Sequence, residues 1–276
     1  MVWVKPLGGS TLQSCEELWY NTYILERGSP SELAQRFTQR RGSPRHIYYM
    51  KGIEIFIDES GDFGPYDSRC PFYIVTMVFH ESDSPLFAQI SELEYRLSLL
   101  GLEEHCIHTN PAIRGEGEYY GVDVVLRRKV LSCFSAFVRK SPLRFKTFVV
   151  SKHKGDTEED VLDALRNAME DFISANYESL CSYRDLMVAY DKGQLQLSRL
   201  ISDLFRHRFP NVRLTKTLPV YSRIFQVADF VCTITKIALR LEHEGTLAKS
   251  EEKFFQGIAR FKKTWLNPVL AQEVKF

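Results

Sequence analysis

The stretch IEIFIDESGDFG, residues 53–64, sets the fold: a run of apolar residues stops abruptly at Asp58, Glu59, Ser60 and Gly61. Ile53 to Ile57 have the β-branched and aromatic character of a buried strand, and Gly61, Gly64 and Pro65 mark its end. Carboxylates are poor strand formers and costly to bury without compensation, so a cation, a metal or solvent is expected at the strand's mouth.

From residue 52 onward the pattern is ordered. A strand at 53–59 is followed by FYIVTMVF at 72–79, read as its antiparallel hairpin partner. Helical spacing covers about 84–100 and 122–139, with an irregular stretch at 103–121 between them. RFKTFVV at 144–150 is a third strand, and Asp156 and Glu159 open a helix running to about 179. DLMVAYD at 185–191 is a fourth strand, again ending in an aspartate. A helix at 194–208, a strand at 212–217, a helix at 222–243 and a charged helical tail complete the order. Strands that come first as a run and then alternate with helices predict an α/β fold: a mixed sheet, antiparallel at its start and then parallel, with helices on both faces.

Residues 1–49 read as a helical N-terminal extension to a domain spanning 50–276. A helix is expected at 11–27, and Ser29, Pro30 and Glu32 form the opening of a second. Residues 1–51 hold seven Lys/Arg against four Glu, a local balance of +3 in a chain of formal charge +1. That near-neutral total gives no push of its own toward nucleic acid. With 44% hydrophobic residues among 276 the chain can bury a sizeable core. No window approaches a membrane span, and MVWVKPLGGS lacks a signal-peptide pattern, so a soluble cytoplasmic protein is expected. The six cysteines are scattered without a CxxC pair and read as reduced structural thiols.

Three acids stand out: Asp58 ending the first strand, Asp191 ending the fourth, and Asp229 in SRIFQVADFVCTITKIALR, one turn after Gln226. Neighbouring parallel strands finish at one edge of an α/β sheet, so Asp58 and Asp191 meet if their strands are adjacent. Carboxylates gathered from separate elements need a cation to stay ionised together, and hard oxygen donors suit Mg²⁺ or Mn²⁺. Arg127, Arg128, Lys129, Lys152 and Lys154 are weaker candidates for gripping phosphates, since most such runs are solvated faces.

The order of elements and the three acids resemble the ribonuclease H-like nucleases, in which two metals clamp an in-line displacement at phosphorus. The motifs FIDESGDFG (56–64) and QVADF (226–230) are similar to those of a bacterial and phage family known only as a domain of unknown function, number thirty-eight hundred, recognised by DESG and QxxD. CIHTNPAIRGEGEYY (106–120) and YDKGQ (190–194) also look like segments of that family, and the resemblance covers about residues 50–265. It implies a ribonuclease H-like fold and a metal-dependent nuclease or phosphoryl-transfer enzyme acting on nucleic acid, tied to mobile elements or defence. The metal ligands would be Asp58, Asp191, Asp229 and Glu59, supported by Ser60, Gly61 and Gln226. His108 would be a phosphate contact or proton carrier. Residues 1–49 would serve a protein partner or self-association.

One part of the ribonuclease H pattern has no distinctive match. Its further glutamate could be Glu158 or Glu159 at the first crossover helix, or Glu59, which shares Asp58's side only if the strand ends or twists between them. His105, Cys106 and His108 lack the spacing of common zinc sites. A phosphatase of the haloacid dehalogenase type wants DxD, where this chain has Ser60. The rival class is a binding or regulatory module of the same fold with no catalysis.

Overall fold

The structure is a computed structural model that describes residues 52–274 apart from 65, 70, 104, 191–192 and 217–221. The helices expected within 1–49 and the aspartate at 191 lie outside the described residues.

Five strands form one sheet: β1 (Gly52–Ser60), β2 (Phe72–Glu81), β3 (Arg144–Ser151), β4 (Asp185–Tyr190) and β5 (Arg213–Lys216). Their spatial order is β3-β2-β1-β4-β5. β2 is antiparallel to both β1 and β3, whereas β4 is parallel to β1 and β5 is parallel to β4. The sheet is therefore mixed, with an antiparallel start and parallel additions, as expected from the element order.

Side chains of β1 alternate between two cores, as the two-residue period of a strand requires. Ile55 and Ile57 join Val75, Met77 and Val188 on one face. There they meet α4 (Glu158–Ala175) and α6 (Leu195–Arg208) through Leu165, Met169, Leu197 and Leu204. Phe56, Val78 and Ala189 face the other way, against α3 (Val124–Lys140) and α7 (Arg223–Glu244). Phe134 and Phe230 pack edge to face with centroids 5.7 Å apart. Each fully buried Leu or Phe of this kind contributes about 1.5–3 kcal/mol by leaving water. α7 is apolar almost all round because its outer side is covered too: Trp265 of the π-helical turn Lys262–Leu266 lies near Phe230, and Arg240 pairs with Glu251 of α8 (Lys249–Phe255), the first of the short C-terminal helices, which α9 (Ile258–Phe261) and α10 (Asn267–Leu270) follow.

The remaining helices are α1 (Phe87–Ser98), α2 (Thr109–Arg114) and α5 (Tyr177–Cys181). α2 and the 3₁₀ turn at Gly117–Tyr119 occupy the stretch expected to be irregular. α2 has one turn and a half, too short for apolar periodicity to show, and Arg127 closes it: its guanidinium donates to the carbonyls of Ala112 and Ile113, and to that of Val122.

Candidate active site

β1 carries Asp58 beyond the described end of β4. Tyr190, the last residue of β4, pairs with Ile57, so Asp58 is the first residue of β1 past that register. On its other side Asp58 pairs with Thr76 of β2, and the ladder continues through Glu59 opposite Val75 and Ser60 opposite Ile74. The strand neither ends nor breaks between the two acids. Asp58 consequently shares the α7 face with Phe56, and Glu59 points to the opposite face with Ile57. Tyr73 lies in the core on that second side, its hydroxyl pKa raised by burial first and then by the charge of Glu59. Of the two neighbouring carboxylates, Asp58 alone is aimed toward Asp229's helix.

The turn after β1 depends on glycine. Gly61 has φ +111°, and a Cβ there would sit 2.9 Å from the carbonyl of Phe72. The Gly61 carbonyl accepts from Gln194 Nε2 at 2.9 Å, and the Gln194 N–H donates to the Tyr190 hydroxyl at 3.0 Å. The Gln194–Gly61 bond thus ties the DESG turn to the YDKGQ segment.

α7 brings the second carboxylate. Cys232, one turn beyond Asp229, is buried against β1 and β2, donating its thiol to Thr76 Oγ1 at 3.1 Å and lying 3.3 Å from the Asp58 carbonyl. Its pKa is pushed well up by burial and then by the charges of Asp58, Asp229 and Glu59. Asp229 itself is half-buried, and the Thr109 N–H donates to its Oδ2 at 2.8 Å. Burial raises its pKa, while hydrogen bonds from Thr109, the charge of His108 and the Thr233 hydroxyl act against the rise.

Residues 105–108 run beside this helix without regular structure and lead into α2 at Thr109. The His105 carbonyl accepts from Arg223 Nη1 at 2.7 Å, the Ile107 N–H donates to Gln226 Oε1 at 3.2 Å, and Thr109 meets Asp229 as above. His108 sits at the N-cap of α2, with Nε2 3.4 Å from Cys106 Sγ. Cys106 is held protonated by burial, its pKa pushed up to about 11. His105 makes a separate bond to the Tyr119 hydroxyl at 2.7 Å.

The structure therefore places Asp58, Ser60, Asp229, Gln226 and His108 around one face of the sheet, directs Glu59 away from it, and leaves Asp191 outside the described residues. Glu158 is engaged by Gln196 at the start of α4. Three of the cationic candidates are structural: Arg127 closes α2, Arg128 donates to the carbonyls of Lys253 and Phe254, and Lys152 Nζ donates to those of Asp62 and Gly64 at 3.2 Å. Sequence reasoning missed Thr109, Cys232 and Arg223. The first two carry no motif, but Arg223 stands at the same three-residue spacing before Gln226 as Gln226 before Asp229.

No protein-family model matches this chain, and no curated protein does. Among solved structures it is similar to a chain of the PCNA:RNase HII complex from Archaeoglobus fulgidus (TM-score 0.33, 15% identity, 81% of this chain and 91% of that one). It is also similar to ribonuclease H2 from Pyrococcus horikoshii OT3 (TM-score 0.35, 11% identity, 80% and 98%).

Among the described residues no group of three or more His, Cys, Asp or Glu side chains is gathered tightly enough to hold a metal ion by itself. Asp58 on β1 and Asp229 on α7 carry hard oxygen donors of the kind that suits Mg²⁺ or Mn²⁺. Among the described residues no helix is long and apolar enough to cross a membrane.

Proposed function

We propose that the protein is a divalent-metal-dependent nuclease or related phosphoryl-transfer enzyme acting on nucleic acid. The observation that carries this reading is the seating of α7, which bears Asp229, on the face of β1 that Asp58 shares, with Cys232 against the Asp58 carbonyl at the end of the sheet where parallel β1 and β4 finish. Asp58 and Asp229 would hold Mg²⁺ or Mn²⁺, with Asp191 as a third ligand. Bound there, the ion supplies charge neutralisation at phosphorus and an activated water.

The chain's own residues do the rest. The Thr109 N–H fixes the orientation of Asp229, and the Gln194–Gly61 bond holds the turn that follows Asp58. His108 is positioned beside Cys106 as a proton carrier or phosphate contact. Glu59, on the far face, has no part in this metal site. We also propose membership of the DESG and QxxD family, a cytoplasmic role tied to mobile elements or defence, and an interaction role for residues 1–49.

The test is cleavage of single-stranded DNA, duplex DNA, RNA and RNA–DNA hybrid with Mg²⁺ or Mn²⁺, beside an Asp58→Asn variant. Cleavage of at least one substrate, reduced about 100-fold or more in the variant, is expected for loss of a metal ligand. Equal activity in the two proteins overturns the role of Asp58, and none on all four substrates leaves a non-catalytic binding module instead.

A further inference from the structure

We propose that Arg223 is the positioning residue of the site, setting Asp229 through a three-rung ladder; this rests on the metal-site reading above. The rungs join residues 105, 107 and 109 to residues 223, 226 and 229: His105 O to Arg223, Ile107 N–H to Gln226 Oε1, Thr109 N–H to Asp229 Oδ2. Alternate residues of the segment that leads into α2 meet every third residue of α7, so the last rung, at the first residue of α2, is aligned by the first two.

Arg223 directs the ladder because a guanidinium can only donate. It is 8% exposed, its Nε donates to Glu94 Oε1 at 2.6 Å, and its Nη1 donates to both His105 O and Gln226 Oε1, at 2.7 and 2.8 Å. Gln226 Oε1 accepts from Arg223 and from the Ile107 N–H, which obliges Gln226 Nε2 to face the other way, 3.5 Å from Cys106 Sγ. That fixes the amide of Gln226 and, with it, the height of Ile107 and Thr109 along α7. Lysine keeps the charge opposite Glu94 but has no rigid fork with which to hold all three acceptors. Arg223 touches neither acid directly; it acts through Gln226 and the 105–109 segment.

Two readouts on Arg223→Lys test this: hydrogen exchange of the Ile107 and Thr109 amides, and Mn²⁺ affinity by calorimetry. Exchange at those two amides is expected to rise about tenfold while Ile55 in central β1 is unchanged, and Mn²⁺ binding is expected to weaken about tenfold. Glu94→Gln, which removes only the half-exposed anchor, should move both in the same direction by a smaller factor and serves if the first variant does not fold. Unchanged exchange at Ile107 and Thr109 in a folded variant overturns the ladder. Faster exchange with wild-type Mn²⁺ affinity overturns the link to the site. If the wild-type protein binds no Mn²⁺, the metal reading fails and with it the role assigned to Arg223, whatever the exchange result says of the ladder.

Discussion

Glu54 and His80 face each other across β1 and β2, both less than a tenth exposed, far along the strand from Asp58. His80 Nε2 lies 2.8 Å from the Ser84 carbonyl, which can only accept, and Nδ1 lies 3.0 Å from Glu54 Oε2. Both ring nitrogens therefore donate, which is the imidazolium form. Burial opposes that charge, but the Glu54 bond, the Ser84 carbonyl and the charges of Glu54 and Asp83 outweigh it and raise the pKa above 6.5. A raised histidine contributes stability that is complete below about pH 6.5 and is lost as pH climbs through the folded-state value. Urea denaturation of wild type and His80→Gln should show a stability gap that is widest near pH 6 and narrows by pH 9. A gap independent of pH would contradict the assignment. The same attention to single residues separates Asp58 from Glu59: adjacent in sequence, they belong to different faces because the ladder runs on to Ser60.

Whole elements were mostly legible from pattern, since strands of four to ten residues and helices of twelve or more carry enough periodicity to declare themselves. The order of β1 to β5 and the helices α3, α4, α6 and α7 follow the expected places closely. α2 did not show, because six residues with a proline in the first turn leave no apolar repeat to read. The start of α4 was read one residue off. Thr157, between Asp156 and Glu158, is the cap: its hydroxyl accepts from the Asp160 N–H at 3.2 Å, and Asp160 Oδ2 accepts from the Thr157 N–H at 2.8 Å. Thr157→Ala should cost about 1 kcal/mol and lower the melting midpoint by about 2–4 °C in a domain of this size. An unchanged midpoint in thermal denaturation would mean that the box stabilises nothing. The cationic runs were legible only as charge: the backbone carbonyls that engage Arg127, Arg128 and Lys152 belong to distant loops and helix ends that a linear reading cannot bring near.

At the scale of the molecule, the candidate site is a product of topology. β1 lies in the centre of the sheet with β4 parallel beside it, and α7 crosses the face that Asp58 shares. This is why two acids remote in sequence belong to one face of the sheet, and why the spacing of Arg223, Gln226 and Asp229 along one helix matters. The motif acids could be seen in the sequence; the segment at 105–109 that holds one of them could not, because its partners lie more than a hundred residues away. The central claim is that Asp58 and Asp229 bind one ion together. Calorimetric titration with Mn²⁺ of wild type, Asp58→Asn, Asp229→Asn and the double variant tests it most directly. Binding by wild type, a loss of about 100-fold or more in each single variant and no further loss in the double are predicted, as for residues acting as a unit. Wild-type affinity in either single variant, or no binding by the wild-type protein, would contradict it.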